Sequence, residues 1–197
     1  IVFALVMNWA SPFTALQLLF INLVNDSVPA IALGMEKAEP NVMKKKPRPS
    51  DEGIFEGGLM ASVAVRGVLI GVAAIISQYI GMQVSDELGV AMAFTTLILA
   101  RSLQTFTARS NSQTILSLGL FSNKYVLGAV VFCLGLYSLT TLPFTREFFS
   151  IPANFSMHYW LLAAGLALGA VLMMEIIKAL RVLVSQKKAK AKVNKVG

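Results

Sequence analysis

The sequence predicts an all-α, polytopic bundle of membrane-crossing helices, about five full spans plus a truncated one. Two observations carry this. The 197 residues are 56% hydrophobic, with a mean hydropathy of +0.69. The apolar residues also fall into blocks close to the roughly 20 residues needed to cross a bilayer. A transmembrane barrel would show short alternating strands instead, and none is legible.

The elements follow in order. Ile1 to about Trp9 reads as the end of a truncated helix, with Ala10–Thr14, containing Pro12, as a tight connection. Leu16–Gly34 is an interrupted span. Met35–Glu56 is a polar loop with several prolines and a basic cluster, Lys44-Lys45-Lys46-Pro47-Arg48. Gly57 to about Met82 is the next span, and Val84–Gly89 a short acidic loop. Val90–Thr107 is a span with a polar second half, followed by the Ser/Asn-rich loop Ala108–Lys124. Tyr125–Leu142 is a span, Pro143–Met157 a loop, and Leu161 to about Ile177 the last span before a basic tail. The resulting division is a stub at 1–9, a membrane domain at 10–180 and a tail at 181–197. The chain opens at Ile1 inside an apolar stretch without a basic n-region, so the expectation is a piece of a longer protein rather than a signal peptide.

The formal net charge of +7 raises nucleic acid as a partner. The basic residues instead cluster beside apolar blocks, which fits positive-inside topology and contact with anionic membrane lipids, with no nucleic acid. On that rule the 35–56 loop, the 108–124 loop and the tail face the cytoplasm. Cys133 is the single cysteine, so no internal disulfide forms.

The chemistry concentrates in Asn22-Leu-Val-Asn25-Asp26-Ser-Val-Pro29. A carboxylate deep in a bilayer costs about 2.5–3.5 kcal/mol on insertion scales and marks a functional site by default. Pro29 lacks an N–H, which removes the helical partner of the Asn25 carbonyl. Positions 22, 25 and 26 share a helical face by their spacing. Amide, carboxylate and freed carbonyl oxygens suit hard cations. The plainer reading is a proline kink whose amides bond neighbouring helices.

Arg101 lies in mid-span among Thr95, Thr96, Ser102, Gln104 and Thr105. A guanidinium there needs an anion or water. Asp26 is its natural partner, and snorkelling to the interface is the alternative. Arg66 reads as snorkelling or touching a lipid headgroup. Glu175 and Lys178 read as a surface-level helix pair. The spacings Gly67-x-x-x-Gly71 and Gly165-x-x-x-Gly169 permit close helix approach. No Walker loop, zinc spacing or nucleophile–base pattern is present.

The run Gln17–Gly34 around Asn22, Asn25, Asp26 and Pro29 closely resembles the sixth transmembrane helix of P-type calcium ATPases. Val42-Met-Lys-Lys-Lys-Pro47-Arg48-Pro49 resembles part of their next cytoplasmic loop. Gly57-Gly58-Leu with Arg66-Gly67 resembles the start of the seventh helix, and Glu175-Ile-Ile-Lys178 the end of the tenth. The resemblance covers essentially the whole chain, from late helix five to the C-terminal end. It implies ATP-driven export of a cation, Ca2+ first, with Asn22, Asn25 and Asp26 as ligands. Asn25 stands where the two-site sarcoplasmic reticulum pump has threonine, and Arg101 where that pump has a ligating glutamate. Hence the expectation of one Ca2+ per cycle, with Arg101 as counter-charge to Asp26. ATP and Mg2+ would belong to cytoplasmic domains of a longer parent, and the preceding helices would be further partners. The expected location is an integral membrane, in particular the plasma membrane. The alternatives are a related pump for Mn2+, Mg2+ or Na+, a self-contained secondary carrier, or a non-catalytic membrane subunit.

Overall fold

The computed structural model describes residues 1–9, 11–37, 59–110 and 113–193, with side-chain surroundings given as far as residue 184. The basic cluster at 44–48 therefore lies outside the described residues, and so do the side chains of the lysines from 187 onward. The described residues form helices and turns only. They are α1 (Val2–Val6), α2 (Ala15–Phe20), a π-helical segment (Ile21–Asp26), α3 (Ser27–Gly34), α4 (Leu59–Met82), α5 (Asp86–Ala108), α6 (Ile115–Leu118), α7 (Lys124–Thr140) and α8 (Met157–Val193).

Among the described residues, four stretches are long and apolar enough to cross a membrane: Ala15–Gly34, Leu59–Met82, Asp86–Ala108 and Met157–Val184. The fifth expected span is the shorter apolar helix α7. At 17 residues it rises about 25 Å, at the lower limit for a bilayer core of about 30 Å.

Three boundaries differ from the expectation. The hairpin between α4 and α5 is shorter than an 84–89 loop, because Asp86 and Glu87 form the first turn of α5 behind the Ser85 N-cap, whose side chain accepts from Leu88 N–H. Carboxylates belong there, where they meet the positive end of the helix dipole. The 108–124 connection contains the one-turn helix α6. Finally, α8 does not stop near Ile177 but continues to Val193, since nothing in that stretch breaks a helix.

α5 is the axis of the bundle. Leu88, Ala91, Met92, Ala93, Phe94, Thr95, Thr96 and Ile98 on it are all fully buried. Its hydroxyls tie it to three neighbours. Thr96 Oγ1 donates to Ser77 Oγ at 2.7 Å, and Ser77 Oγ donates to the Met92 carbonyl at 3.1 Å. Thr96 also reaches the Ala163 carbonyl on α8 at 3.4 Å, and Thr95 shares a 2.8 Å bond with the Tyr137 hydroxyl on α7. An aromatic group of Phe20, Phe94, Tyr137 and Phe149 closes one end of the core. There α2 is anchored by Gln17, which completes a capping box with Thr14 and donates to the Phe149 carbonyl at 2.7 Å.

The close helix approach is not at either Gly-x-x-x-Gly pair. A Cβ on Gly67, Gly71, Gly165 or Gly169 would meet nothing within 4 Å. It is at the α4–α5 turn, where a Cβ on Gly81 would stand 2.6 Å from the Gly89 Cα and 2.8 Å from the Leu88 carbonyl carbon. Both helices present backbone to backbone there, so relief requires moving a helix. Gly81→Ala is expected to destabilise the purified protein in detergent by about 1–3 kcal/mol through overpacking. Gly67→Ala is expected to leave the midpoint of thermal unfolding unchanged or slightly raised. Equal midpoints for the two variants would remove the close-approach assignment.

Candidate functional site

The interrupted span departs from an α-helix one turn earlier than Pro29 requires. Residues 21–26 form wide π turns, and α3 begins at Ser27 with Pro29 in its first turn, where a missing N–H does least damage. π segments leave carbonyls out of the regular ladder and are frequent at functional sites. Side chains reach two carbonyls of this segment. Ser27 Oγ donates to the Asn22 carbonyl at 3.1 Å, and the Cys133 thiol on α7 points to the Val24 carbonyl at 3.6 Å.

The wide turns also change which residues share a face. Asn25 is 2% exposed and accepts a 2.9 Å hydrogen bond on Oδ1 from Ser102 Oγ of α5. Its Nδ2 has no partner among the described residues. Asp26 Oδ2 lies 2.7 Å from Arg101 Nη2, with about a third of each side chain exposed. Asn22, by contrast, is exposed. The three residues expected on one face therefore divide: Asn25 and Asp26 meet α5, and Asn22 turns away from it. The three-and-four spacing that would align them applies to α-helical turns, not to these.

Asn25, Asp26 and Pro29 face Arg101, Gln104 and Thr105 across an open cleft with an empty space of ≈ 470 Å³, including its mouth. The oxygen ligands its side chains offer are the Asp26 carboxylate, the amides of Asn25 and Gln104 and the Thr105 hydroxyl. Among the described residues no group of three or more His, Cys, Asp or Glu gathers anywhere. A hard cation of the Ca2+ kind takes six to eight oxygens, so these residues supply part of such a shell. Ser102 was visible in the sequence only as one polar neighbour of Arg101. Its bond to Asn25 depends on helix rotation and carried no sequence signal.

Below the cleft, where α3 and α5 end, Arg109 forms a second cluster. Its Nε and Nη2 hold both oxygens of Glu36 at 2.8 and 2.9 Å. Nη1 donates to the Gly119 carbonyl at 2.8 Å, and Nη2 also donates to Ser122 Oγ. Asn123 Nδ2 donates to Glu36 Oε2 at 2.6 Å, while Asn123 Oδ1 caps α7 by accepting from Tyr125 and Val126 N–H. One guanidinium thus fastens the end of the interrupted span to α5, the α6 loop and the start of α7. Glu36 and Arg109 are far apart in sequence, and neither stood out there.

Glu175 and Lys178 are not a surface pair. Lys178 is 8% exposed, and its Nζ donates to the Thr107 carbonyl at 2.9 Å with Glu175 Oε1 at 3.4 Å. Glu175 Oε2 accepts from Ile115 N–H at 2.9 Å. The pair ties α8 to the ends of α5 and α6, because orphan carbonyls and N–H groups at helix ends need partners.

Such a bundle, with an ion pair set between spanning helices, defines an integral membrane protein. The family described as "Cation transporting ATPase, C-terminus" matches residues 10–180, and the chain belongs to that family. It is 71% identical over 181 residues to calcium-transporting ATPase lmo0841 of Listeria monocytogenes serovar 1/2a, covering 92% of this chain and 21% of that protein. The same identity and coverage hold for calcium-transporting ATPase 1 of Lactococcus lactis subsp. lactis. The calcium-transporting ATPase of Bacillus subtilis is 40% identical over 132 residues, 66% of this chain and 15% of that protein. The chain spans about a fifth of the length of the first two relatives.

The Glu36 carboxyl is held below its ordinary value of 4.5, first by the hydrogen bond from Arg109. The same bond holds the Arg109 guanidinium more firmly charged than usual. A carboxyl depressed in the folded state adds stability above its unfolded value, and loses it as the pH falls through the folded value. Arg109→Gln is expected to cost about 3 kcal/mol, because it strands a mostly buried carboxylate. Glu36→Gln is expected to flatten the loss of stability below pH 4.5. Unfolding midpoints measured from pH 3 to pH 7, a window chosen to span that transition, check both. Parallel wild-type and E36Q curves would refute the coupling.

Proposed function

We propose that this chain is the ion-binding membrane part of an ATP-driven cation export pump, that its cargo is Ca2+, and that one Ca2+ moves per cycle. The observation that carries the reading is the Asp26–Arg101 pair, at 2.7 Å, beside Asn25 at the widened turn of a spanning helix. The names of the relatives favour Ca2+ over Mn2+, Mg2+ or Na+. Broken helices at mid-membrane are a common way to build transporter ion sites.

Asp26 supplies the anionic oxygen, and Asn25 and Asn22 supply amide oxygens. Asn22 faces away from the described helices, so on this reading it meets ligands from helices that the longer protein adds. In the ion-free state Arg101 neutralises Asp26. An arriving divalent ion takes the carboxylate, and the displaced guanidinium stays close because α5 is buried on nearly every side. That retained positive charge disfavours a second divalent ion in the same low-dielectric space. Ca2+ also competes with protons for Asp26, which supports proton countertransport.

Residues 10–180 form the membrane unit in this proposal, with 1–9 as the end of a preceding helix and 181–197 as a basic cytoplasmic tail. The 35–56 loop faces the cytoplasm. ATP and Mg2+ act in domains of the longer protein, in the plasma membrane.

The decisive experiment counts Ca2+ moved per ATP hydrolysed in sealed vesicles carrying the intact protein. One is expected; two would sink the counter-charge role of Arg101. Asp26→Asn is expected to weaken apparent Ca2+ affinity by about 100-fold, equivalent to about 2.7 kcal/mol. Apparent affinity in the wild type is expected to fall as the pH falls, and a pH-independent affinity would remove the proton-coupling step.

A further inference from the structure

Asn25 and Ser102 form a rung that the neighbouring ion pair does not explain. The wide turns of the π segment set Asn25 against α5, where it is 2% exposed and Ser102 is fully buried. Ser102 Oγ donates to Asn25 Oδ1 at 2.9 Å, beside the Asp26–Arg101 pair. The other arm of the amide is left over. Nδ2 is buried and has no partner among the described residues. A buried donor without an acceptor is costly, and a native structure rarely keeps one without a use for it.

As it stands, the amide serves a cation poorly. Asn25 lines the cleft with Asp26 and Arg101, and Ser102 is not among the residues lining it. The oxygen, the arm a cation needs, is thus engaged by α5, and the free arm is a donor that repels positive charge.

A half turn about the Cβ–Cγ bond exchanges the two arms. Oxygen and NH2 are close in size, so the turned amide fills the same space. Nδ2 then donates to Ser102 Oγ, because a hydroxyl accepts as readily as it donates. Oδ1 takes the place of the partnerless nitrogen. The Ser102 proton needs a new acceptor, and α5 offers one. Thr95 and Thr105 on the same helix donate to carbonyls four residues earlier, those of Ala91 at 2.8 Å and Arg101 at 3.2 Å. For Ser102 the equivalent carbonyl is that of Ile98. Only a side chain that both donates and accepts suits both orientations of the amide.

We propose that Ser102 is a positioning residue of the ion site. Its hydroxyl donates to the Asn25 oxygen while Asp26 is paired with Arg101, and accepts from the Asn25 amide when a hard cation is bound. The amide turns and delivers Oδ1 to the cation. As Ca2+ takes Asp26 from Arg101, it takes the Asn25 oxygen from Ser102, so adjoining rungs exchange partners together. The inference rests on Asp26 and Asn25 being cation ligands.

The test measures equilibrium Ca2+ binding to the intact protein without ATP. S102A is expected to weaken binding about tenfold, the order set by one stranded buried donor, and S102T, which keeps the hydroxyl, to stay within about threefold of wild type. N25A is expected to weaken it as much as S102A, and N25A/S102A no further, since the serine acts through the amide. S102C fills the space with a weak donor and acceptor; it is expected to weaken binding too, and serves where S102A does not fold. The direct signature is nitrogen NMR of protein labelled at the asparagine side-chain amides. The Asn25 signal, identified by its absence in N25A, is expected to move downfield on Ca2+ addition as Nδ2 gains an acceptor, and to stay in place in S102A. Wild-type affinity in S102A or S102C, losses that multiply in N25A/S102A, or an unmoved Asn25 signal in wild type would overturn the role of Ser102 while D26N still weakened binding. Unaltered affinity in D26N would overturn the ion-site reading, and this inference with it.

Discussion

The constraint on which the structure rests is that a membrane offers no water, so each polar group on a spanning helix must be satisfied by another helix. α5 meets that constraint from all sides at once. It is buried along most of its length, and its hydroxyls reach α4, α7 and α8 through Ser77, Tyr137 and the Ala163 carbonyl. The Gly81–Gly89 contact brings α4 and α5 close enough for the Ser77–Thr96 bond to form. Lipid tails give apolar helices little reason to associate, so small residues and hydrogen bonds carry the specificity here. The remaining helices take their positions from α5.

The interrupted span is held to α5 in two places of different chemistry. In the membrane, Asn25–Ser102 and Asp26–Arg101 join the wide turns to α5. Beyond the span, Arg109 holds Glu36 in a two-pronged pair. The first attachment lies in the π turns themselves, and between the two runs α3, with Pro29 in its first turn. The Arg109 network also reaches Gly119 and Asn123, so a shift of α3 is felt at the cap of α7.

The charges at the ends of the helices divide by role. Glu175 and Lys178 complete hydrogen bonds that helix ends leave open, at Ile115 and Thr107. Asp26 and Arg101 sit within spans and satisfy no helix end. Arg66 and Arg181 line one cleft between α4 and α8. Charge alone did not separate these three groups, since each is one or two ionisable residues in an apolar block.

The sequence by itself determined the class of fold, the order of the spans and which ionisable residues lie inside them. Bilayer thickness imposes a length on every apolar block, and an acid or guanidinium inside one is too costly to be incidental. Asp26 and Arg101 were paired on that ground, and they lie in contact. Only the tertiary structure decided which neighbours each residue meets. The π turns rotate Asn22 away from Asn25 and Asp26, the glycines that matter are 81 and 89 rather than 67 and 71, and Arg109, at the end of α5, finds Glu36, just past the end of α3. Helix rotation and crossing depend on contacts between distant segments, which no local spacing records.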